Sequence, residues 1–422
     1  MTVDLDQHER ALLTGHHGKA MQLAMRLIVQ AADIMAAPHL IPIRFAHIDA
    51  CFYTGRSHVD FVRYLLDNGA KLSVTAWTNI GIASLADPDL RPEVDDPEMV
   101  GGGRELMRLY AQLGCKPTWT CAPYQLPGGP KFGEHIAVGE SNAVSYYNSA
   151  LGARTNKYGD YLDVACALVG KVPFAGLHTD EGRKAELQFD CTALPEEWRR
   201  EDIFHHLLGH HVGPIAGRRV PVISGLPAST SRDNLKAIST AVAASGGVEL
   251  WHGVGVTPEA PRLEAVFTHG ETHQVLAEHL RNAHAGLSTA RDGVLDAVAL
   301  GTPHFSFAEF AEVVRFLDGR KVKEGLPVLI STSRGVRELI AARGWLTLLE
   351  AAGVRIPVDV CTYYSPRIRS IRGRVMTNAA KWAYYAPGML GVKVAFGSLR
   401  ECIESAVRGE VWRDPELWIS QT

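Results

Sequence analysis

An α/β fold of several domains with parallel sheets is predicted by three observations. Apolar runs alternate with helical runs in the amino-terminal part, the alternation returns more cleanly in the carboxyl-terminal part, and 422 residues with 46% hydrophobic content suffice for two or three domains. Strands separated by helices of ten or more residues imply parallel sheets with right-handed crossovers. The expected units are an amino-terminal α/β domain over 1–184, a middle α/β region over 185–290 and a carboxyl-terminal α/β domain over 291–422.

The elements follow from periodicity. Residues 18–36 have the 3.6-residue spacing of a helix, and IPIRFAHID (41–49) reads as a buried strand ending in polar residues. A helix near 58–69 leads to strand 71–79, and a helix near 101–113 leads to strand 117–123. GESNAVSYYNSALG (139–152) opens another helix. Further on, strands are expected at 219–224, 247–252, 295–300, 327–331, 357–361 and 391–398. Helices are expected near 231–245, 271–285 and 307–317, then over VRELIAARGWLTLLEAAG and LRECIESAVRG.

Composition excludes several functions. A net charge of −3 leaves no basic face for nucleic acid or an anionic membrane. No run approaches the ~18 apolar residues that span a bilayer, and the acidic start MTVDLDQHER lacks a signal-peptide core. Seven cysteines without a CxxC pair point to a reducing compartment, most simply the cytosol. The Arg-rich stretch Arg367, Arg369, Arg372, Arg374 reads as a solvated loop or an anion or partner contact. His205, His206, His210 and His211 have no companion Cys and read as a polar helix face rather than a zinc site. No Gly-rich dinucleotide or P-loop signature is present, and no GxSxG elbow.

Ligands of open parallel sheets bind at the carboxyl ends of strands. The runs expected there are polar or sulfur-bearing: His47 to Cys51, Thr75 to Asn79, Cys121 to Tyr124, Gly301 to His304, Ser331 to Gly335, Cys361 to Tyr364 and Ser398. Cys121 and Cys361 either pack as small hydrophobes or offer thiolates to an iron–sulfur cluster. The helix that opens at Ser141 offers N–H donors suited to a substrate carboxylate, and Arg154 and Asn156 return one helix length later. Lys381, beside Thr377 and Asn378, anchors a carboxylate or phosphate or is a surface lysine.

HIDACFYTG, TNIG, CAPY, GESNAVSYYNSALGARTN, STSRG, DVCTYYSP and TNAAKWAYYAPG, in that order, resemble the large subunit or domain of the aconitase X family over about residues 10–413. The resemblance implies an aconitase-like fold with no swivel domain in this chain, and a small swivel-domain subunit as partner that donates the serine base. It implies a hydro-lyase using an iron–sulfur cluster as Lewis acid. The substrate would be cis-3-hydroxy-L-proline or, alternatively, mevalonate 5-phosphate; Trp77 in TAWTN favours the compact ring. Carried over by position, Cys121 and Cys361 are cluster ligands. Thr302 stands where the family often has a third cysteine, which leaves Cys51 as the remaining candidate and keeps a non-catalytic cluster-binding protein as a third reading. Glu140, His47 and Lys381 are the expected catalytic groups. Ser57, Thr78, Asn79, Ser141, Asn142, Arg154 and Asn156 are the expected substrate contacts, with Arg154 and the Gly139–Asn142 segment holding the carboxylate.

Overall fold

A computed structural model describes residues 3–362 and 371–420. Apolar, β-branched runs extend and pair; the amphipathic runs between them coil and cover both sheet faces. Three sheets result, each entirely parallel. The amino-terminal sheet has the order Thr75–Thr78, Phe45–Ile48, Ile136–Val138. The middle sheet runs His252–Gly253, Pro221–Ser224, Leu187–Asp190, Glu271–Gln274. The carboxyl-terminal sheet runs Val354–Arg355, Val328–Thr332, Ala297–Phe305, Arg374–Thr377, Lys393–Phe396. A small antiparallel pair, Leu40–Pro42 with Lys171–Pro173, closes the amino-terminal unit.

In the amino- and carboxyl-terminal sheets the first strand in sequence lies inside the sheet, and later strands add on both sides of it. The chain therefore leaves neighbouring strands in opposite directions and opens a crevice at their carboxyl ends. One core, around Met25, Ile28, Val59, Met107 and Tyr110, packs under the amino-terminal sheet. Another, around Leu300, Phe310, Ile330 and Ile403, backs the carboxyl-terminal sheet. No helix among the described residues is long and apolar enough to cross a membrane.

Several expected elements differ. The helix expected near 271–285 opens with strand Glu271–Gln274 and coils only over Ala277–Leu287. The run after Arg334 is two helices, Arg334–Ala342 and Trp345–Ala351, because Gly344 at φ +78° turns left-handed and ends the first. The strand expected at 295–300 continues to Phe305. Tyr363, Tyr364, Arg367 and Arg369 lie outside the described residues, whereas Arg374 begins a strand and donates to the Val294 carbonyl at 2.7 Å.

Neither 117–123 nor 357–361 forms a strand; each touches its neighbour through an isolated bridge, Trp77 with Lys116 and Thr332 with Val358. Two residues before its cysteine, each segment carries a side-chain-bearing residue in the left-handed region: Trp119 at φ +42° and Asp359 at φ +72°. That conformation turns the backbone off the ladder and re-aims the cysteine two residues on.

Local bonds hold both turns. The Trp119 N–H donates to the Thr78 hydroxyl at 3.1 Å. The Asp359 carboxylate, fully buried, accepts both forks of Arg334 at 2.7 Å and the N–H groups of Leu85 and Ala86 at 3.1 and 3.3 Å. Asp359→Asn gives up the charge and one acceptor, so unfolding should become easier by about 3 kcal/mol. Thermal melting against wild type reads this; an unchanged melting temperature would show that the turn holds without the ion pair.

Candidate active site and metal-binding thiols

Asp49 follows strand Phe45–Ile48, Glu140 follows strand Ile136–Val138, and Lys381 stands in the first turn of helix Ala380–Leu390 after strand Arg374–Thr377. The crevices of the two sheets thus meet in one place. Glu140 is buried and accepts from Lys381 Nζ at 2.6 Å, Asn142 Nδ2 at 2.7 Å, Asn79 Nδ2 at 3.2 Å and the Asn142 N–H at 3.3 Å. Burial alone would push its carboxyl up. The Lys381 charge and the bonds from Lys381 and Asn142 outweigh burial and hold it down at about 2.

Asp49 has the opposite environment. It accepts from Asn79 Nδ2, while its turn is pinned by the Asp163 carboxylate, which accepts the N–H groups of Asp49 and Ala50 at 2.6 and 3.1 Å. Burial and then the Glu140 charge push the Asp49 carboxyl up to about 7, although part of its surface remains open. Gly139 is obligatory beside it, since a Cβ there would stand 2.6 Å from Asp49 Cβ. His47 is fully buried and neutral, pushed by burial down to about 4; its Nε2–H donates to the Thr120 carbonyl at 3.0 Å.

Asn142 links these groups to the turn that carries Cys121. Its amide donates to the Cys121 carbonyl at 3.0 Å and its oxygen accepts from the Tyr124 hydroxyl at 2.8 Å. Cys121 Sγ and Cys361 Sγ stand 3.5 Å apart in an apolar setting with Ile80 and Phe52. Together with the His304 ring they form the only group of metal-capable side chains brought together among the described residues. The hydrogen bond shared with Cys121, and then burial, push the Cys361 thiol up. Soft thiolates select iron–sulfur clusters, zinc or copper(I). Thr302, two residues before His304, is buried with its hydroxyl unpartnered. The two paired thiols are soft donors of the kind that would hold a cluster.

The structure thus brings together Glu140, Lys381, Asn79, Asn142, Cys121 and Cys361. Ser141 also points its hydroxyl at Glu140, at 3.4 Å. Other expected residues go elsewhere. Cys51 lies in the amino-terminal core with its thiol against the carbonyls of Ile48 and Asn79 at 3.2 and 3.4 Å, outside the thiol group. Thr78 braces Trp119. Ser57 is exposed and accepts from the Tyr161 hydroxyl at 3.3 Å.

Arg154 bridges beside His135, at the amino end of strand Ile136–Val138, and its guanidinium binds Asp180 at 2.5 Å and the His178 carbonyl at 3.2 Å. Three rises of extended chain, from His135 to Val138, put its backbone about 10 Å from the strand end that leads to Glu140. Asn156 ties the turn at Ala175 and Leu177. The helix end at Ser141 is no open anion site either, because the Glu140 carboxylate itself caps it.

Asp49 and His304 belong to the polar runs that sequence places at strand ends. Only their neighbours distinguish them: a second carboxylate for Asp49, two cysteine-bearing turns for His304.

Parallel sheets whose crevices meet over buried carboxylates and paired thiols give an α/β fold of the aconitase type. Family profiles described as aconitase X first, second and third domain match residues 2–181, 185–285 and 295–408. The chain belongs to the aconitase X family. It is 39% identical to the cis-3-hydroxy-L-proline dehydratase of Pseudomonas aeruginosa, over 99% of this chain and 72% of that protein. It is 35% identical to the phosphomevalonate dehydratase large subunit of Thermococcus kodakarensis, over 90% of this chain and 94% of that one. The crystal structure of aconitase X from Thermococcus kodakaraensis in its holo-form superposes with a TM-score of 0.84 at 33% identity, covering 96% of this chain and all of that one.

The Glu140–Lys381 pair makes a testable contribution to stability. Removing one partner strands the other in a buried setting, so Glu140→Gln and Lys381→Met should each cost about 3 kcal/mol, and the double variant less than their total. Because the Glu140 carboxyl is held low, its contribution is full above its ordinary range and fades as pH falls toward about 2. Wild type should therefore lose its advantage over Glu140→Gln on acidification. Equal losses for the double variant and the sum of the singles would show no coupling.

Proposed function

We propose that this chain is the large, catalytic part of a hydro-lyase that dehydrates cis-3-hydroxy-L-proline, with Cys121 and Cys361 holding an iron–sulfur cluster. The observation that carries the reading is the run of hydrogen bonds that joins the two carboxyls to the turn bearing a thiol, Asp49–Asn79–Glu140–Asn142 and on to the Cys121 carbonyl. When bound, the cluster supplies a Lewis acid for a departing hydroxyl.

The chain's own groups divide the remaining work. Two carboxyls whose environments push them in opposite directions mark an acid–base pair. Asp49, raised to about 7, takes the proton lost in the dehydration, in place of the serine base expected of a partner. Glu140 stays ionised, accepts from the imino nitrogen of the substrate and is kept in place by Lys381 and Asn142. Neutral His47 supports the Cys121 turn through the Thr120 carbonyl.

Charge favours the imino acid over a phosphate. The cation described at the site, Lys381, is already matched by Glu140, whereas a phosphate ester needs surplus positive charge or N–H groups. A zwitterionic imino acid brings its own balance. The phosphomevalonate reading is supported instead by the full-length match to a large subunit of that activity, which is also what supports a small partner subunit here. Seven free cysteines suit a reducing compartment such as the cytoplasm.

Protein prepared without air and supplied with iron and sulfide should show visible absorption. Cys121→Ser and Cys361→Ser should lose it, while Cys51→Ser and Cys402→Ser keep it; colourless wild type would overturn the cluster reading. With its small partner, the chain should dehydrate cis-3-hydroxy-L-proline in preference to phosphomevalonate. Turnover of neither substrate by cluster-loaded protein would leave a cluster-binding protein without dehydratase function.

Asp49→Asn should lower kcat by roughly 10²-fold or more and abolish a rise in rate with pH near 7. Arg154→Lys should leave KM within about twofold of wild type, since its fork is spent on Asp180 and His178.

A further inference from the structure

His304 is fully buried and makes polar contacts through every group it has. Its ring Nε2 lies 3.0 Å from the Val360 carbonyl and its Nδ1 lies 3.0 Å from the Thr120 hydroxyl. Its backbone N–H points to Cys121 Sγ at 3.4 Å. Its carbonyl accepts from Gln125 Nε2 at 3.0 Å and from Lys236 Nζ at 3.4 Å, and Lys236 is itself anchored by Asp233 at 3.0 Å and by Glu309. Both ring contacts are made one residue before a cysteine, at Thr120 for Cys121 and at Val360 for Cys361.

These partners fix the tautomer. A carbonyl only accepts, so Nε2 carries the proton and donates it to Val360. The Thr120 hydroxyl already accepts from the Ala122 N–H at 3.1 Å, so its own hydrogen goes to Nδ1. Neither ring nitrogen keeps a free lone pair, and a metal ligand needs one. Proximity to both thiols therefore does not make His304 a third ligand.

We propose that His304 is a positioning residue: its ring ties the Thr120 hydroxyl on one cysteine-bearing turn to the Val360 carbonyl on the other and so sets the spacing of the two thiols. Neither turn is held by a sheet ladder at its cysteine, and this side chain bridges the two segments, 240 residues apart, beside the contact of the thiols themselves. For the cluster itself the inference rests on the reading that Cys121 and Cys361 are its ligands; the clamp is also testable without metal.

In metal-free protein, maleimide labelling followed by mass spectrometry reads the opening of each thiol. His304→Leu should raise labelling of Cys121 and Cys361 at least about tenfold, since both ring hydrogen bonds are lost, and leave Cys166 and Cys402 unchanged. His304→Gln, whose amide can both donate and accept, should restore protection to within about threefold of wild type. Thr120→Val should move the same two thiols in the same direction.

After reconstitution, iron and sulfide per chain should fall in the same order, with His304→Gln nearest wild type. If His304 were a ligand, Thr120→Val would free Nδ1 and retain iron better than wild type, and His304→Gln would fare no better than His304→Leu; either result overturns the clamp. A uniform rise at all seven cysteines in His304→Leu would mean general unfolding, and the decision then falls to Thr120→Val and His304→Gln: selective exposure of Cys121 and Cys361 in Thr120→Val with protection in His304→Gln supports the clamp, and any other pattern refutes it. Wild type that takes up no iron removes the cluster reading and leaves the labelling result standing.

Discussion

The buried carboxylate of Glu140 is the interaction on which the site depends. It sits at the end of an amino-terminal strand and is matched by Lys381 from the carboxyl-terminal unit. Two charges taken out of water are costly unless each is matched and the remaining lone pairs are filled. Here Asn142 bonds Oε1 alongside Lys381 and Asn79 bonds Oε2, so the pair is tolerated and fixes how the two crevices face one another. The same carboxylate caps helix Ser141–Ser149 and repels Asp49. One group thus aligns two units, opens a helix and tunes the neighbouring carboxyl.

The cysteine turns show a second economy. Trp119 and Asp359 occupy a backbone region that costs side-chain-bearing residues about 1–3 kcal/mol each. The surroundings over-determine both: Thr78 accepts the Trp119 N–H, and Asp359 is gripped by Arg334 and the 84–86 loop. Asp359 also receives the Gly81 N–H on its carbonyl at 2.8 Å. Strain located two residues before each thiol turns both sulfurs out of the ladders toward one shared, apolar space.

The separation of Asp49 from Glu140 follows from placement rather than residue type. Both are carboxylates at strand ends of one sheet. Lys381 reaches Glu140 directly, whereas Asp49 receives one amide bond and the field of Glu140. A site with one carboxyl held ionised and another near neutrality suits removal of a proton and a hydroxyl from adjacent atoms. The agreement with aconitase X relatives along nearly the whole chain shows the frame in which these groups are held.

Sequence by itself determined the α/β class, most helices, the placement of polar runs at strand ends and, through ordered motifs, the family. Those properties are local: periodicity sets helix or strand, and a motif's spacing survives in one dimension. Glu140, Lys381, Asn142 and the two thiols were legible because each stands in such a motif. Tertiary structure alone decided that Arg154 turns to Asp180, that Cys51 packs into the amino-terminal core, and that the segments bearing Cys121 and Cys361 leave the sheet. It also placed Asp49 beside Glu140 and His304 between the two cysteine-bearing turns. A residue's hydrogen bonds and charge neighbours come from segments far apart in the chain, Thr120 with His304 or Glu140 with Lys381, and no local pattern carries that information.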